Sequence, residues 1–145
     1  MFAPEKLLKL ILVLCGIACI LGLPGLYIPR SWMAASHEWL GMGPFPDGPL
    51  AEYLARLCSG LYAIYGGLVL VMASDVRRFA PLITAQALMI LGLASSGFCL
   101  AWGTGVPAWW LIGDIVSVVC YCAVVLVLQR RIAAWAAAGS RKDED

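Results

Sequence analysis

Charge is what this chain has least of. Asp, Glu, Lys and Arg make up 13% of its 145 residues, about half the share of a soluble domain. Hydrophobic residues supply 62%, and the mean hydropathy is +0.88. A water-solvated domain with a polar shell cannot be built from this composition, so the chain reads as an integral membrane protein. There is one histidine, His37, and a histidine-based metal centre would need convergent partners that the sequence does not offer. The six cysteines, at 15, 19, 58, 99, 120 and 122, form no CxxC and lie inside apolar runs, where thiols read as small hydrophobes. No cofactor is expected. The formal net charge is +1 and no basic patch stands clear of the apolar runs, so nucleic acid is excluded as a partner. No A-x-A site follows the first apolar run, and that run exceeds a signal-peptide core, so a retained first span is expected.

What is present is four long apolar stretches. A hydrocarbon core of ~30 Å takes ~20 helical residues per crossing, and the stretches at about 7–28, 50–74, 82–104 and 110–129 meet that length. The predicted fold is all-α: a polytopic four-helix membrane bundle over residues 1–131, followed by a tail over 132–145 whose charged end is expected to be disordered. Gly22, Pro24 and Gly25 should loosen the far end of the first span. The longest connection, 29–49, predicts a short interfacial helix near 31–40 carrying Trp32 and Trp39, then a cap rich in glycine and proline.

The second stretch holds the unusual residues. At ~100° per residue, Glu52, Arg56, Gly60, Ala63, Gly67, Leu70 and Ser74 fall near one line. Small residues on the third stretch, including Gly92 and Ser96, form a similar stripe. Matching stripes predict close packing of the second and third spans, with Gly67 and Gly92 in the seam. Intramembrane charge is a functional-site hypothesis by default. Arg56 and Asp114 both lie within roughly 10 Å of one interface by helical rise, and Asp114 heads a stripe that includes Tyr121 and Gln129. Glu52, Arg56, Asp114 and Tyr121 are therefore the candidate site residues. Arg56 and Asp114 are expected to pair, with Glu52 one turn nearer water, either as an architectural ion pair or as a ligand or proton site; no catalytic or metal-binding residue is assigned.

The segments Gly25-Leu-Tyr-Ile-Pro-Arg30, Glu52-Tyr-Leu-Ala-Arg56-Leu-Cys-Ser-Gly60-Leu-Tyr-Ala-Ile-Tyr-Gly66-Gly67 and Asp75-Val-Arg-Arg-Phe79 resemble the DoxX-like small four-helix bacterial membrane proteins. They are also similar to the BphX-like proteins, encoded among aromatic-degradation genes. The similarity covers most of residues 5 to 130. It implies a four-helix fold in a bacterial inner membrane and carries no catalytic residue. DoxX is linked to thiosulfate:quinone oxidoreduction as a membrane subunit, so the resemblance also implies a quinone-linked subunit as a third reading. Ahead of it stand an accessory or assembly protein without catalysis of its own, working in the bilayer as a homo-oligomer or beside a membrane partner, and a small carrier or sensor for an aromatic or weak-acid compound.

Orientation follows from the basic residues. With both termini inside, eight Lys and Arg lie on the inner side (6, 9, 77, 78, 130, 131, 141 and 142) and only Arg30 lies in an outer connection. A periplasm-active reporter fused after Asp47 should therefore be active and one fused after Arg78 silent; activity at Arg78 alone would invert the topology.

Overall fold

The computed structural model describes residues 4–142, which form no strand. The helices are α1 (Pro4–Ile20), α2 (Arg30–Trp39), α3 (Pro49–Ser74), α4 (Ala80–Ala101) and α5 (Ala108–Lys142), with a 3₁₀ turn at Leu23–Leu26. Four segments are long and apolar enough to cross a membrane: Pro4–Leu26, Pro49–Ser74, Ala80–Ala101 and Ala108–Ala137. They coincide with the four stretches read from hydropathy.

Proline and glycine set the element ends. Pro49 and Pro81 stand at the first turns of α3 and α4, where the missing N–H is no loss. α1 stops earlier than its hydropathy, at Ile20, because Gly22, Pro24 and Gly25 convert its continuation into the 3₁₀ turn. α5 does the opposite: Arg130 and Arg131 do not end it, and the alanine-rich segment after them carries the helix to Lys142. The end of the charged tail lies outside the described residues. α2 is followed by Gly41 and Gly43 at φ +73° and +78°, left-handed values that glycine takes without a Cβ penalty.

The chain divides into two compact units. In the unit Val13–Val71, the C-terminal part of α1 and the 3₁₀ turn run antiparallel to α3. Their register can be followed through the glycines. A Cβ at Gly66 would lie 2.6 Å from the Gly16 carbonyl oxygen and 2.9 Å from Cys19 Cβ; one at Gly16 would lie 2.8 Å from Leu70 Cδ2 and 3.0 Å from the Gly66 carbonyl. Further along, Gly22 approaches Tyr62 and Leu26 covers Gly60. Backbone meets backbone at Gly16 and Gly66, the arrangement by which helices associate where lipid removes the hydrophobic drive between them.

The other unit holds the residues up to Leu12 and those from Met72 onwards. In it α4 and α5 pack antiparallel. The Gln86 side-chain amide donates to Tyr121 Oη at 3.1 Å, the Cys122 thiol to the Ala87 carbonyl at 3.1 Å, and the Gln129 amide to the Ala80 carbonyl at 3.4 Å. Ile83, Ala87, Cys122 and Val125 are buried between these polar rungs, with Leu8 and Leu12 of α1 also buried in this unit. Its ends are tied by Arg77, whose Nε and Nη2 donate to Glu5 Oε2 at 2.9 and 2.7 Å. Large apolar side chains elsewhere stay outside: Leu93 is 75% and Leu100 80% exposed, as suits helices whose outer solvent is acyl chain.

The seam read from the small-residue stripes would join Gly67 of one unit to Gly92 of the other. Within its own unit, no described neighbouring element lies within 4 Å of a Cβ built at Gly67. The neighbouring Gly66, about 100° round the helix from Gly67, makes the contact, and it makes it with α1. Accordingly Gly66→Leu and Gly16→Leu should each lower stability by about 1–3 kcal/mol through overpacking, while Gly67→Leu stays within about 0.5 kcal/mol of the parent. Thermal unfolding in mild detergent distinguishes the two glycines, and a Gly67→Leu loss as large as that of Gly66→Leu would refute the register.

Candidate functional site

Arg56 sits on the second turn of α3, where the helix runs beside the 3₁₀ turn of its own unit. The break in α1 leaves carbonyls to be accounted for one by one. Backbone N–H groups serve those of Ile17, Cys19, Gly22 and Pro24, and Pro29 accepts from the first turn of α2. Between them lie Leu26 and Ile28. Arg56 supplies both: Nη1–H donates to the Leu26 carbonyl and Nη2–H to the Ile28 carbonyl at 3.1 Å. The remaining edge of the guanidinium closes on Glu52, with Nε at 3.2 Å and Nη2 at 2.7 Å from Oε1. Glu52 and Arg56 are one helical turn apart and both about 70% shielded. Four of the five guanidinium N–H groups are thereby engaged, in the fork geometry that only arginine offers.

A second arginine organises the cap after α2. Arg30 donates to the carbonyls of Pro46 (3.2 Å) and Gly48 (3.4 Å), pairs with Asp47 at 3.3 Å, and lies 5.7 Å from the Phe45 ring centroid. Within that cap a hydrogen bond of 2.8 Å joins His37 Nδ1 to the Gly43 carbonyl. A carbonyl only accepts, so Nδ1 carries the hydrogen and the neutral ring presents Nε2 as an acceptor. The Phe45 ring meets His37 edge-on at 5.6 Å. Below lies a cavity of about 200 Å³ lined chiefly by Ile28, Met33, Leu40 and Phe45, with His37 and Ser59 at its edge. The Ser36 and Ser59 hydroxyls are turned to the Met33 and Ala55 carbonyls, 2.9 and 3.0 Å away.

Of the four candidates read from the sequence, Glu52 and Arg56 meet directly. Asp114 and Tyr121 belong to the other unit. There the Asp114 backbone carbonyl accepts the Ser117 hydroxyl at 2.8 Å, and Tyr121 takes the Gln86 bond described above. The residues not found by sequence reasoning are Leu26, Ile28 and Arg30. The first two act through carbonyl oxygens, which have no side-chain signature; the Gly22-Leu-Pro-Gly25 break was the signal that unpaired carbonyls would follow.

Among the described residues no three His, Cys, Asp or Glu side chains converge as metal ligands. Comparisons of the chain with protein-family models, curated proteins and solved structures return no match.

The saturated fork predicts a sharp dependence on shape. Arg56→Lys keeps the charge but reaches fewer acceptors and should cost about 1–2 kcal/mol. Arg56→Gln should cost more, and Glu52→Gln less, since the carbonyls keep their donor. Chemical denaturation in detergent ranks the three; an Arg56→Lys protein as stable as the parent would show that charge alone suffices.

Proposed function

We propose that this is a multi-pass protein of the bacterial cytoplasmic membrane, with both termini cytoplasmic, that serves as an accessory or assembly subunit and has no catalysis of its own. One observation carries the reading: the part-buried charge that would be the natural ligand site is spent internally. An anion bound at Arg56 would have to displace Glu52 or strip two backbone carbonyls of their donor, each a loss of about 1–3 kcal/mol before any binding is gained. The pair thus supports an architectural role. The small residues Gly67, Gly92 and Gly97 on the long apolar helices support the assembly half of the proposal, because small residues allow a partner helix to approach closely. The likeness of Glu52 to Gly67 to the DoxX-like and BphX-like pattern supports the compartment.

The carrier or sensor reading has one observation in its favour, the apolar cavity beside His37. At about 200 Å³ it falls short of the ~300–1,000 Å³ usual for ligand pockets. A weak acid held by Glu52, Arg56, Asp114 and Tyr121 would in addition require both Arg56 and Tyr121 to leave their present bonds.

Purification in mild detergent after gentle cross-linking is expected to yield a stoichiometric complex, either with a second membrane protein or with further copies of this chain. Proteoliposomes should take up labelled benzoate no faster than protein-free vesicles. A monomer without partners that accelerates benzoate uptake would replace the accessory reading with the carrier one.

A further inference from the structure

A charged concavity lies in the unit that holds the start of α1, not in that of Arg56. It is a groove of about 440 Å³ between the first turns of α1 and the end of α3, lined by Glu5, Lys6, Lys9, Ser74 and Asp75 over a floor of Ala73 and Val76. The floor is apolar and closed, with Ala73 1% and Val76 3% exposed. The two acids are already engaged: Glu5 holds the Arg77 guanidinium, and Asp75 Oδ1 accepts the backbone N–H groups of Arg77 (3.2 Å) and Arg78 (3.0 Å). Lys6 and Lys9, three residues apart and so on one side of α1, have no ion-pair partner among the described residues. Two uncompensated ammonium groups therefore overlook a groove whose carboxylates are taken.

Position narrows the ligand. Ser74 is the last residue of α3, and Lys6 and Lys9 lie in the first turns of the Pro4–Leu26 segment. In a spanning chain this is the level at which hydrocarbon gives way to headgroups. Leu7 and Leu10, next to the lysines on α1, are 40% and 53% exposed and offer apolar surface to acyl chains at the same place. A basic recess with an apolar floor at the end of a span fits a phosphodiester whose tails lie alongside. We propose that the Lys6–Lys9 groove binds the phosphate of an anionic phospholipid headgroup. The site rests on the membrane-spanning reading of the four helices and is independent of the Arg56 staple.

Native mass spectrometry of the full chain released from detergent tests this, with phosphatidylglycerol, phosphatidylcholine and inorganic phosphate as probes. Phosphatidylglycerol should be retained about thirtyfold over phosphatidylcholine, from two lysines at roughly 1 kcal/mol per basic residue near the surface. Lys6→Gln/Lys9→Gln should abolish the preference and Lys6→Arg/Lys9→Arg should keep it. Arg130→Gln/Arg131→Gln, which removes the same charge outside the groove, should leave it intact; matching thermal unfolding confirms that the variants fold. Equal retention of the two lipids, or equal loss in both glutamine pairs, would overturn the site. Displacement of the lipid by millimolar inorganic phosphate would overturn the lipid as its source. A chain that remains dispersed without detergent would instead sink the spanning reading on which the site rests.

Discussion

A helix that stops inside an apolar segment must find donors for the carbonyls it exposes, and in this chain that constraint explains the part-buried arginine of α3. In hydrocarbon each unmet backbone group costs several kcal/mol. α1 ends at Ile20 and the chain turns through Leu23–Leu26 before α2 begins. Local N–H groups serve the carbonyls of Ile17, Cys19, Gly22 and Pro24, and the Arg56 guanidinium supplies Leu26 and Ile28. An arginine brought in for two carbonyls carries a full charge, and Glu52, one turn back on the same helix, neutralises it. The ion pair is thus a consequence of the helix break. The order of causes runs from Gly22 and Pro24, to the carbonyls, to the arginine, to the glutamate.

That dependence also explains why α3 has to sit so close. Arg56 reaches the turn after α1 only if the two helices are held at short range, and the Gly16 and Gly66 backbones meet with no room for a side chain. Gly66 and Arg56 are ten residues apart, about 2.8 turns, so Gly66 meets α1 at Gly16 and Cys19 while Arg56 meets the chain beyond it at Leu26 and Ile28. Cys19 and Ile20 fill the space beside Gly66, and Leu26 lies over Gly60. Close approach and carbonyl capping reinforce each other: neither the glycine pair nor the arginine fork would be useful alone.

The reach of sequence reasoning can be seen in these same residues. Length and hydropathy locate all four spans because they depend on the solvent, a property of every residue in the window. A short helix close to Arg30–Trp39 was legible in the sequence, and so was the cap, from its glycines and prolines. The periodicity put Arg56 and Gly67 near one line, which is true of the helix, but it cannot say which neighbour that line meets. Gly66 differs from Gly67 by a single step of about 100°, and only the position of α1 decides between them. The partners of Arg56 were hidden for a different reason. Opposite charge suggested Asp114, whereas two of the three groups that Arg56 holds are backbone oxygens, which every residue possesses and no composition reveals. Glu52 was visible as a neighbour at i and i+4, yet its weight could be judged only once the other acceptors were known.

The unit holding α4 and α5 solves the packing problem by another route. Its rungs are Gln86 to Tyr121, Cys122 to Ala87 and Gln129 to Ala80, all uncharged, spaced along two antiparallel helices with Ile83 and Val125 buried between them. Interhelical hydrogen bonds of this kind contribute about 0.6 kcal/mol each in lipid, too little to hold helices apart from packing but enough to fix register when repeated. The ion pair of this unit, the Glu5–Arg77 fork, stands at its end, where water screens it. Neutral rungs suffice here because α4 and α5 are each unbroken over 22 and 35 residues and expose no carbonyls that need a charged donor. Among the described residues, the arginine that donates to interrupted helical backbone, Arg56, lies in the unit with the break.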